Sequence, residues 1–195
     1  MSKKCYRFFG GLLNTQEKWL NKMSEKGYRL VRTGKLLYEF EKCKPDEVTY
    51  CVEFIGEKSK ESSIDYANFL EDMGYKVFFK NINLNYSVGK VCWRPWAERG
   101  GRIATNTTTF NREILIVEKA NDGKPFELHT SYDDKEKYYR NLRNPWLFLL
   151  LMFALFAVTK QSIIFGIFAL VSVIPGSIYQ IQIMKIRKEA KTQEW

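Results

Sequence analysis

The chain has 195 residues, with 31 Lys and Arg against 22 Asp and Glu, one His, four Cys and a net charge of +9. This length suits one ordinary domain with an appendage, and the 45% hydrophobic content and few Cys exclude a disordered chain and a disulfide scaffold. The positive charge is compatible with binding to nucleic acid or to an anionic membrane surface, or with a signal for membrane topology.

The first 60 residues predict strands around one helix. Residues 4–9 read as a strand, and Asn14 with Glu17 resembles a capping box that opens a helix. We expect this helix to run to Lys26, with Gly27 as its C-terminal stop. Strands are then predicted over 28–32, 36–42 and 48–55. Glu39, Glu41 and Glu53 are expected to face outward, as on an ordinary solvated sheet.

A second helix and a further extended segment follow. Ser62 or Ser63 is the predicted N-cap, and Gly74 is the predicted stop. We expect the helix to bury four apolar side chains: Tyr66, Phe69, Leu70 and Met73. Residues 75–88 alternate apolar and polar side chains, which is typical of a strand.

The two helices end in similar strings. Trp19-Leu20 and Met23 lead to Gly27-Tyr28, and Phe69-Leu70 and Met73 lead to Gly74-Tyr75. Unless this echo is a coincidence, residues 1–88 form two βαβ halves of a ferredoxin-like, split βαβ sandwich. Residues 89–132 are predicted to be an inserted loop with one additional strand over 112–119.

Several of these segments resemble a known family. Residues 17–31, then 38–41, 66–75 and 126–131, are similar to the bacterial domain-of-unknown-function 2812 family. The resemblance implies a small membrane-anchored protein of low-GC Gram-positive bacteria, often encoded beside a PadR-like repressor. It implies no established activity and no catalytic residues.

Two apolar segments close the chain. Residues 146–158 are uninterrupted apolar residues, and residues 163–184 carry no charge. Because a membrane-spanning helix needs about 20 mostly apolar residues, we predict a transmembrane hairpin over 145–184, with helices at 145–160 and 162–184. Asn144 is expected to cap the first helix, with Pro145 in its first turn. A buried hairpin of a soluble core and a re-entrant or interfacial hairpin are the alternatives.

The charge distribution orients this hairpin. Residues 135–195 hold nine Lys and Arg against three acidic residues, so this apolar third carries most of the net charge. Since positive charge stays on the cytoplasmic side, we expect a bacterial cell-membrane protein with both termini inside. A basic helix over 133–144 and a basic tail over 185–195 flank the hairpin. The predicted membrane-interface residues are Trp146, Tyr179, Lys135, Lys137, Arg140, Arg143, Lys185, Arg187 and Lys188.

One soluble stretch combines two Trp with Arg. Trp93, Arg94, Trp96 and Arg99 are candidate contacts for a partner or for lipid. The alternatives are a loop whose Trp side chains pack on the domain while its Arg side chains stay solvated, and base stacking on nucleic acid.

The chain offers little for catalysis. His129 is the single His, and the Cys spacing matches no zinc module. We therefore predict no catalytic, metal or cofactor residues and a non-enzymatic protein.

The leading hypothesis is a membrane-anchored cytoplasmic regulatory or protein-binding module, with a PadR-type regulator and envelope stress as the associated context. An accessory subunit of a transporter and a membrane-tethered nucleic-acid-binding domain are the alternatives. Membrane lipid and a protein partner are expected, a homo-oligomer stays open, and nucleic acid is disfavoured.

Overall fold

The computed structural model describes residues 2–84, 86–88, 91–97, 103–104, 112–128 and 132–193. The chain is an α+β protein that ends in an apolar two-helix hairpin, as the sequence predicted. It divides into two compact units, Met1–Trp93 with Ile103–His129, and Arg94–Arg102 with Thr130–Trp195. His129 and Arg99 lie outside the described residues.

The first unit holds the strands and two helices, and the second holds the hairpin. In chain order the first unit has β1 (Lys3–Tyr6), α1 (Leu13–Glu25), β2 (Tyr28–Thr33), β3 (Leu37–Lys42), β4 (Val48–Phe54), α2 (Lys60–Asp72), β5 (Lys76–Lys80), β6 (Tyr86–Val88), β7 (Val91–Trp93), β8 (Ile103–Ala104) and β9 (Ile114–Ala120). The second unit has α3 (Tyr132–Thr159) and α4 (Ile163–Gln193).

The strands form three small sheets, with the orders β1-β3-β2, β4-β9-β5 and β6-β7-β8. In the first two sheets the outer strands both run antiparallel to the central one, and a helix connects them. The two halves thus share one arrangement, although the strands of the predicted sandwich lie in two separate sheets. The predicted additional strand, β9, is the centre of the second sheet and is almost completely buried from Ile114 to Val117.

Both predicted N-caps were wrong. Helix α1 begins at Leu13, before Asn14, because Gly10 and Gly11 turn the chain with φ of +58° and +74°. Helix α2 begins one turn earlier than expected, because Ser59 is its N-cap: the Ser59 hydroxyl accepts a hydrogen bond from the Ser62 amide at 3.1 Å.

The predicted stop at Gly27 is confirmed, and two constraints select glycine there. Its φ is +73°, a conformation that side chains rarely adopt. A Cβ at this position would lie 2.9 Å from the carbonyl oxygen of Cys43. The Gly27 carbonyl in turn accepts a hydrogen bond from the Cys43 amide at 3.0 Å, which brings the end of β3 back to the end of α1.

Helix α1 covers one edge of β4 with three polar side chains. Asn21 accepts from the Tyr50 amide at 2.8 Å and donates to the Tyr50 carbonyl at 3.0 Å. The Glu17 carboxylate accepts from the Val52 amide at 2.9 Å, and the Ser24 hydroxyl donates to the Val48 carbonyl. We call Glu17, Asn21 and Ser24 the edge-covering residues. Because β4 pairs with β9 on its other side, they satisfy backbone groups that an open strand edge would leave unpaired.

The second sheet packs on α2 around Leu70, Ile55, Leu115 and Val117. The prediction that α2 also buries Phe69 and Met73 was wrong, since both side chains are more than half exposed. Both residues are apolar and close to Leu70 in sequence, which favoured their burial. The sheet, however, covers only the side of the helix that carries Leu70.

Glu53 was predicted to face solvent, and this was wrong. Its side chain is 6% exposed, and its carboxylate accepts a hydrogen bond from the Tyr66 hydroxyl at 2.8 Å. Burial raises the pKa of Tyr66, and the bond to Glu53 raises it further. Glu39 is half-buried beside Lys4, and Glu41 is exposed as expected.

Candidate functional site: the helical hairpin

The outer surface of the hairpin is apolar from Leu147 of α3 to Met184 of α4, leaving aside the turn. Val158 is 77% exposed and Ile163 is 81% exposed. Further large apolar side chains share this exposure: Phe148, Leu151, Leu155, Ile164, Leu170, Ile174 and Met184. Both helices are long and apolar enough to cross a membrane. Such continuous apolar exposure is typical of a surface that contacts lipid or another protein.

The inner surface of α4 follows a regular spacing. The buried residues alternate three and four positions apart: Ala169, Ser172, Gly176, Tyr179, Ile183 and Ile186. This is the spacing of a seam between antiparallel helices. On α3, Tyr138, Tyr139 and Leu142 are buried. The small residues allow close approach: a Cβ on Gly176 would lie 3.8 Å from Cβ of Trp146.

Helix α3 is continuous from the basic segment into the apolar segment. The expected cap at Asn144 and first-turn position of Pro145 were therefore wrong, since Pro145 lies inside the helix. The pairing of α3 with α4 extends on both sides of Pro145, so the packing outweighs the one helical hydrogen bond that proline removes. The Asn144 side chain instead accepts from Nη2 of Arg143 at 2.8 Å.

An ion-pair cluster joins the charged ends of the two helices. Arg187 of α4 contacts both carboxylate oxygens of Glu136 on α3, through Nε at 3.0 Å and Nη2 at 2.7 Å. Arg140, one turn along α3, also binds Glu136. The Arg187 and Arg140 guanidinium groups lower the pKa of Glu136 to about 2. Sequence reasoning missed Glu136, and its only signal was its spacing of four residues before Arg140.

Arg143 lies three residues closer to the apolar segment than Arg140, and its environment is different. Its Nη1 donates to Oε1 of Gln180 on α4 at 2.7 Å, and its Nη2 donates to Asn144. Both acceptors are neutral amide oxygens. A cleft of about 480 Å³ opens beside Arg143, between the two helices. Polar and apolar residues both line the cleft: Arg143, Gln180, Ser177 and Ser172, with Gly176, Leu147, Leu150, Val173 and Ile181.

The other predicted interface residues divide between surface and seam. Lys137, Lys185 and Lys188 are exposed, and Lys135 and Trp146 are half-buried. Tyr179 packs within the seam, with its ring centroid 6.5 Å from that of Tyr139. Gln180, next to Tyr179, was not predicted from the sequence. A polar residue within an apolar segment was its available signal.

The Trp and Arg stretch is mostly buried where it is described. Trp96 is 1% exposed, Arg94 is 8% exposed and lies 5.5 Å from the Trp96 ring centroid, and Trp93 is 40% exposed. The Trp96 carbonyl accepts a hydrogen bond from Asn141 of α3 at 3.4 Å. Trp96 is therefore packed, whereas Trp93 keeps an accessible side chain.

The first unit contains a buried polar cluster that links its two main sheets. Arg29 on β2 contacts Glu118 on β9 at 2.7 Å, and the Tyr50 hydroxyl donates to the same carboxylate at 2.9 Å. The Tyr50 hydroxyl also accepts from the Leu30 amide at 2.7 Å. Burial raises the pKa of Tyr50, so its hydroxyl stays protonated and donates. Arg29, Tyr50 and Glu118 thus bind one another, which is typical of a structural network.

Lys80 is a second unusual charge in the first unit. Its side chain is 2% exposed, and its ammonium group donates to the carbonyls of Gly34 and Lys35. Burial lowers the pKa of Lys80 to about 8, and the charge of Glu113 opposes that shift.

Among the residues that the structure describes, no group of three or more His, Cys, Asp or Glu side chains is arranged to hold a metal ion.

Comparison with known proteins supports the resemblance noted in the sequence. Residues 13–151 match the family described as "Protein of unknown function (DUF2812)". Comparisons with the curated proteins and with the solved structures give no significant match. The family match spans α1, all strands after β1 and most of α3, which is well over half of the chain. The chain therefore belongs to the DUF2812 family.

Proposed function

We propose that this protein is a membrane-anchored module whose first unit faces the cytoplasm and binds a protein partner without catalysis. The observation that carries the proposal is the hairpin, whose apolar outer surface spans both helices and whose charged ends hold Glu136, Arg140 and Arg187 together. Lys and Arg cluster beside both ends and only Lys160 lies in the turn, which favours cytoplasmic termini.

The surface of the first unit supports protein binding. Phe69, in the last turn of α2, and Met73, which caps its C-terminus, are 57% and 53% exposed. Tyr6 and Phe8, at and just beyond the end of β1, are also exposed. Exposed aromatic and Met side chains are enriched at protein interfaces.

A regulatory role beside a PadR-type repressor is part of this proposal and rests on the family resemblance. A ferredoxin-like relationship is likewise proposed, supported by two helices that each connect parallel strands flanking a third.

The two alternatives gain less support. A transporter subunit could dock through the small residues of α4, which allow close packing of helices, but Ala169 and Ser172 are buried in the seam of the hairpin itself. The nucleic-acid hypothesis needed accessible Trp and Arg side chains, but Trp96 and Arg94 are buried.

Site-specific photo-crosslinking in intact cells tests the proposal. A photoreactive phenylalanine at Phe69 is expected to give one discrete protein adduct in the membrane fraction. Asn68 is the matched control, because it is exposed at the neighbouring position of α2. Equal adducts at both positions, or recovery of the protein from the soluble fraction, would contradict the proposal.

A further inference from the structure

We propose that the cleft between α3 and α4 binds an anionic phospholipid, with the lipid phosphate at Arg143 and an acyl chain along the apolar part of the cleft. This inference rests on the proposed membrane anchorage and adds a defined ligand site to it.

Arg143 differs in charge environment from the two neighbouring arginines. Arg140 and Arg187 each have an anionic partner in the Glu136 carboxylate, which offsets one of their two positive charges. Arg143 is half-buried, and its contacts are to the neutral oxygens of Gln180 and Asn144. Within the described parts of the chain, its Nε is buried without a hydrogen-bond partner. A guanidinium group that is partly removed from water favours an anionic partner, and a phosphate is well matched to its geometry.

Arg143 lies close to headgroup depth. Arg143 and Thr159 are sixteen residues apart in α3, which corresponds to about 24 Å along a helix. The hydrocarbon core of a bilayer is about 30 Å thick. With the turn at Lys160 in one interface, the backbone of Arg143 is therefore about 6 Å inside the opposite boundary of the core, a distance that a long arginine side chain can extend across. Lipid phosphates are the anions concentrated at that level.

The shape and lining of the cleft suit a lipid. The cleft volume of about 480 Å³ falls within the roughly 300–1,000 Å³ that ligand sites span. Gln180, Ser177 and Ile181 accompany Arg143 at the charged end. Leu147, Leu150, Val173 and Ser172 line the part nearer the turn, where the Ser172 hydroxyl donates to the Phe168 carbonyl at 2.9 Å. A polar end at headgroup depth and an apolar end at acyl-chain depth match an amphiphile, whereas free phosphate would leave the apolar part uncovered.

The test uses the full chain. Flotation with phosphatidylcholine vesicles first establishes membrane insertion, and native mass spectrometry then compares retention of phosphatidylglycerol and phosphatidylcholine. The variants are Arg143→Gln, the control Arg140→Gln, and Ser177→Phe, which fills the cleft while keeping the arginine. Circular dichroism establishes that each variant keeps its helix content.

Wild type is expected to prefer phosphatidylglycerol. Loss of a charge-assisted contact in Arg143→Gln should weaken its retention by roughly tenfold or more. Arg140→Gln removes only attraction near the surface, which corresponds to at most about fivefold. Ser177→Phe should also lose retention. Equal effects of Arg143→Gln and Arg140→Gln, no preference between lipids, or unchanged retention in Ser177→Phe would overturn the site alone. Failure to float with vesicles would overturn the membrane anchorage and the site together.

Discussion

Asn21→Ala is expected to destabilise the first unit, although it places the best helix former in a helix. Asn21 makes two hydrogen bonds to the backbone of Tyr50, at 2.8 and 3.0 Å, and Tyr50 is 1% exposed. The substitution leaves the Tyr50 amide and carbonyl without these partners, and among the strands that the structure describes only β9, on the other edge, pairs with β4.

The size of the effect follows from these contacts. Each lost hydrogen bond contributes about 0.5–1.5 kcal/mol, and a buried group left unpaired adds to that. The gain in helix propensity from Asn to Ala is about 0.6 kcal/mol. The expected loss in free energy of unfolding is therefore about 2 kcal/mol. In a unit of this size, that corresponds to a decrease in Tm of roughly 5–12 °C.

Thermal unfolding of the full chain in detergent micelles, with hydrogen exchange of the peptide covering β4, measures this effect. Asn68→Ala on α2 is the matched control, because it is the same substitution in a helix but at an exposed position. The control should leave Tm unchanged or raise it slightly. A similar Tm for the two variants, or unchanged exchange in β4, would refute the idea that Asn21 stabilises the strand edge.

Three other expectations concern charge and topology. The folded-state pKa of Lys80 is about 8, below its ordinary value of 10.5, so the unfolded chain binds more protons between these values. Stability should therefore rise by roughly 1–2 kcal/mol as pH increases from 8 to 9.5, and Lys80→Met should remove this rise in thermal unfolding. Because the folded-state pKa of Glu136 is lowered to about 2, its contribution is present above its ordinary 4.5 and lost as pH falls toward 2. Glu136→Gln should lower the Tm of the hairpin in micelles at neutral pH but not in strong acid. A membrane-impermeant thiol reagent should label Gln161→Cys in intact cells, but Lys185→Cys only after permeabilisation.

Each of these three expectations would be contradicted by a specific result. A pH dependence in Lys80→Met that equals that of wild type would show that another group causes the rise. Equal Tm values for Glu136→Gln and wild type at neutral pH would show that the ion-pair cluster does not stabilise the hairpin. Labelling at position 185 in intact cells, together with protection of position 161, would reverse the proposed topology.

Local patterns predicted most elements of this protein. Alternation of apolar residues located β2, β3 and β4, and Gly27 and Gly74 end the two helices with positive φ as expected. The apolar segments after residue 145 predicted the hairpin without any tertiary information. These features depend on residues close in sequence, and their physics is therefore visible in the sequence itself.

Only the tertiary structure decided which partners the polar side chains take. Glu17 resembled part of a capping box, yet it accepts a hydrogen bond from Val52, which is 35 residues away. Glu53 was predicted to face solvent, yet its carboxylate binds the Tyr66 hydroxyl of α2. Strand β9 is the centre of its sheet because it pairs with both β4 and β5. Contacts across such distances depend on how the chain closes on itself, and no local periodicity carries that information. Sequence alone therefore determined the local elements and the membrane-compatible hairpin, whereas tertiary packing decided the strand order, the covered edge of β4 and the neutral partners of Arg143.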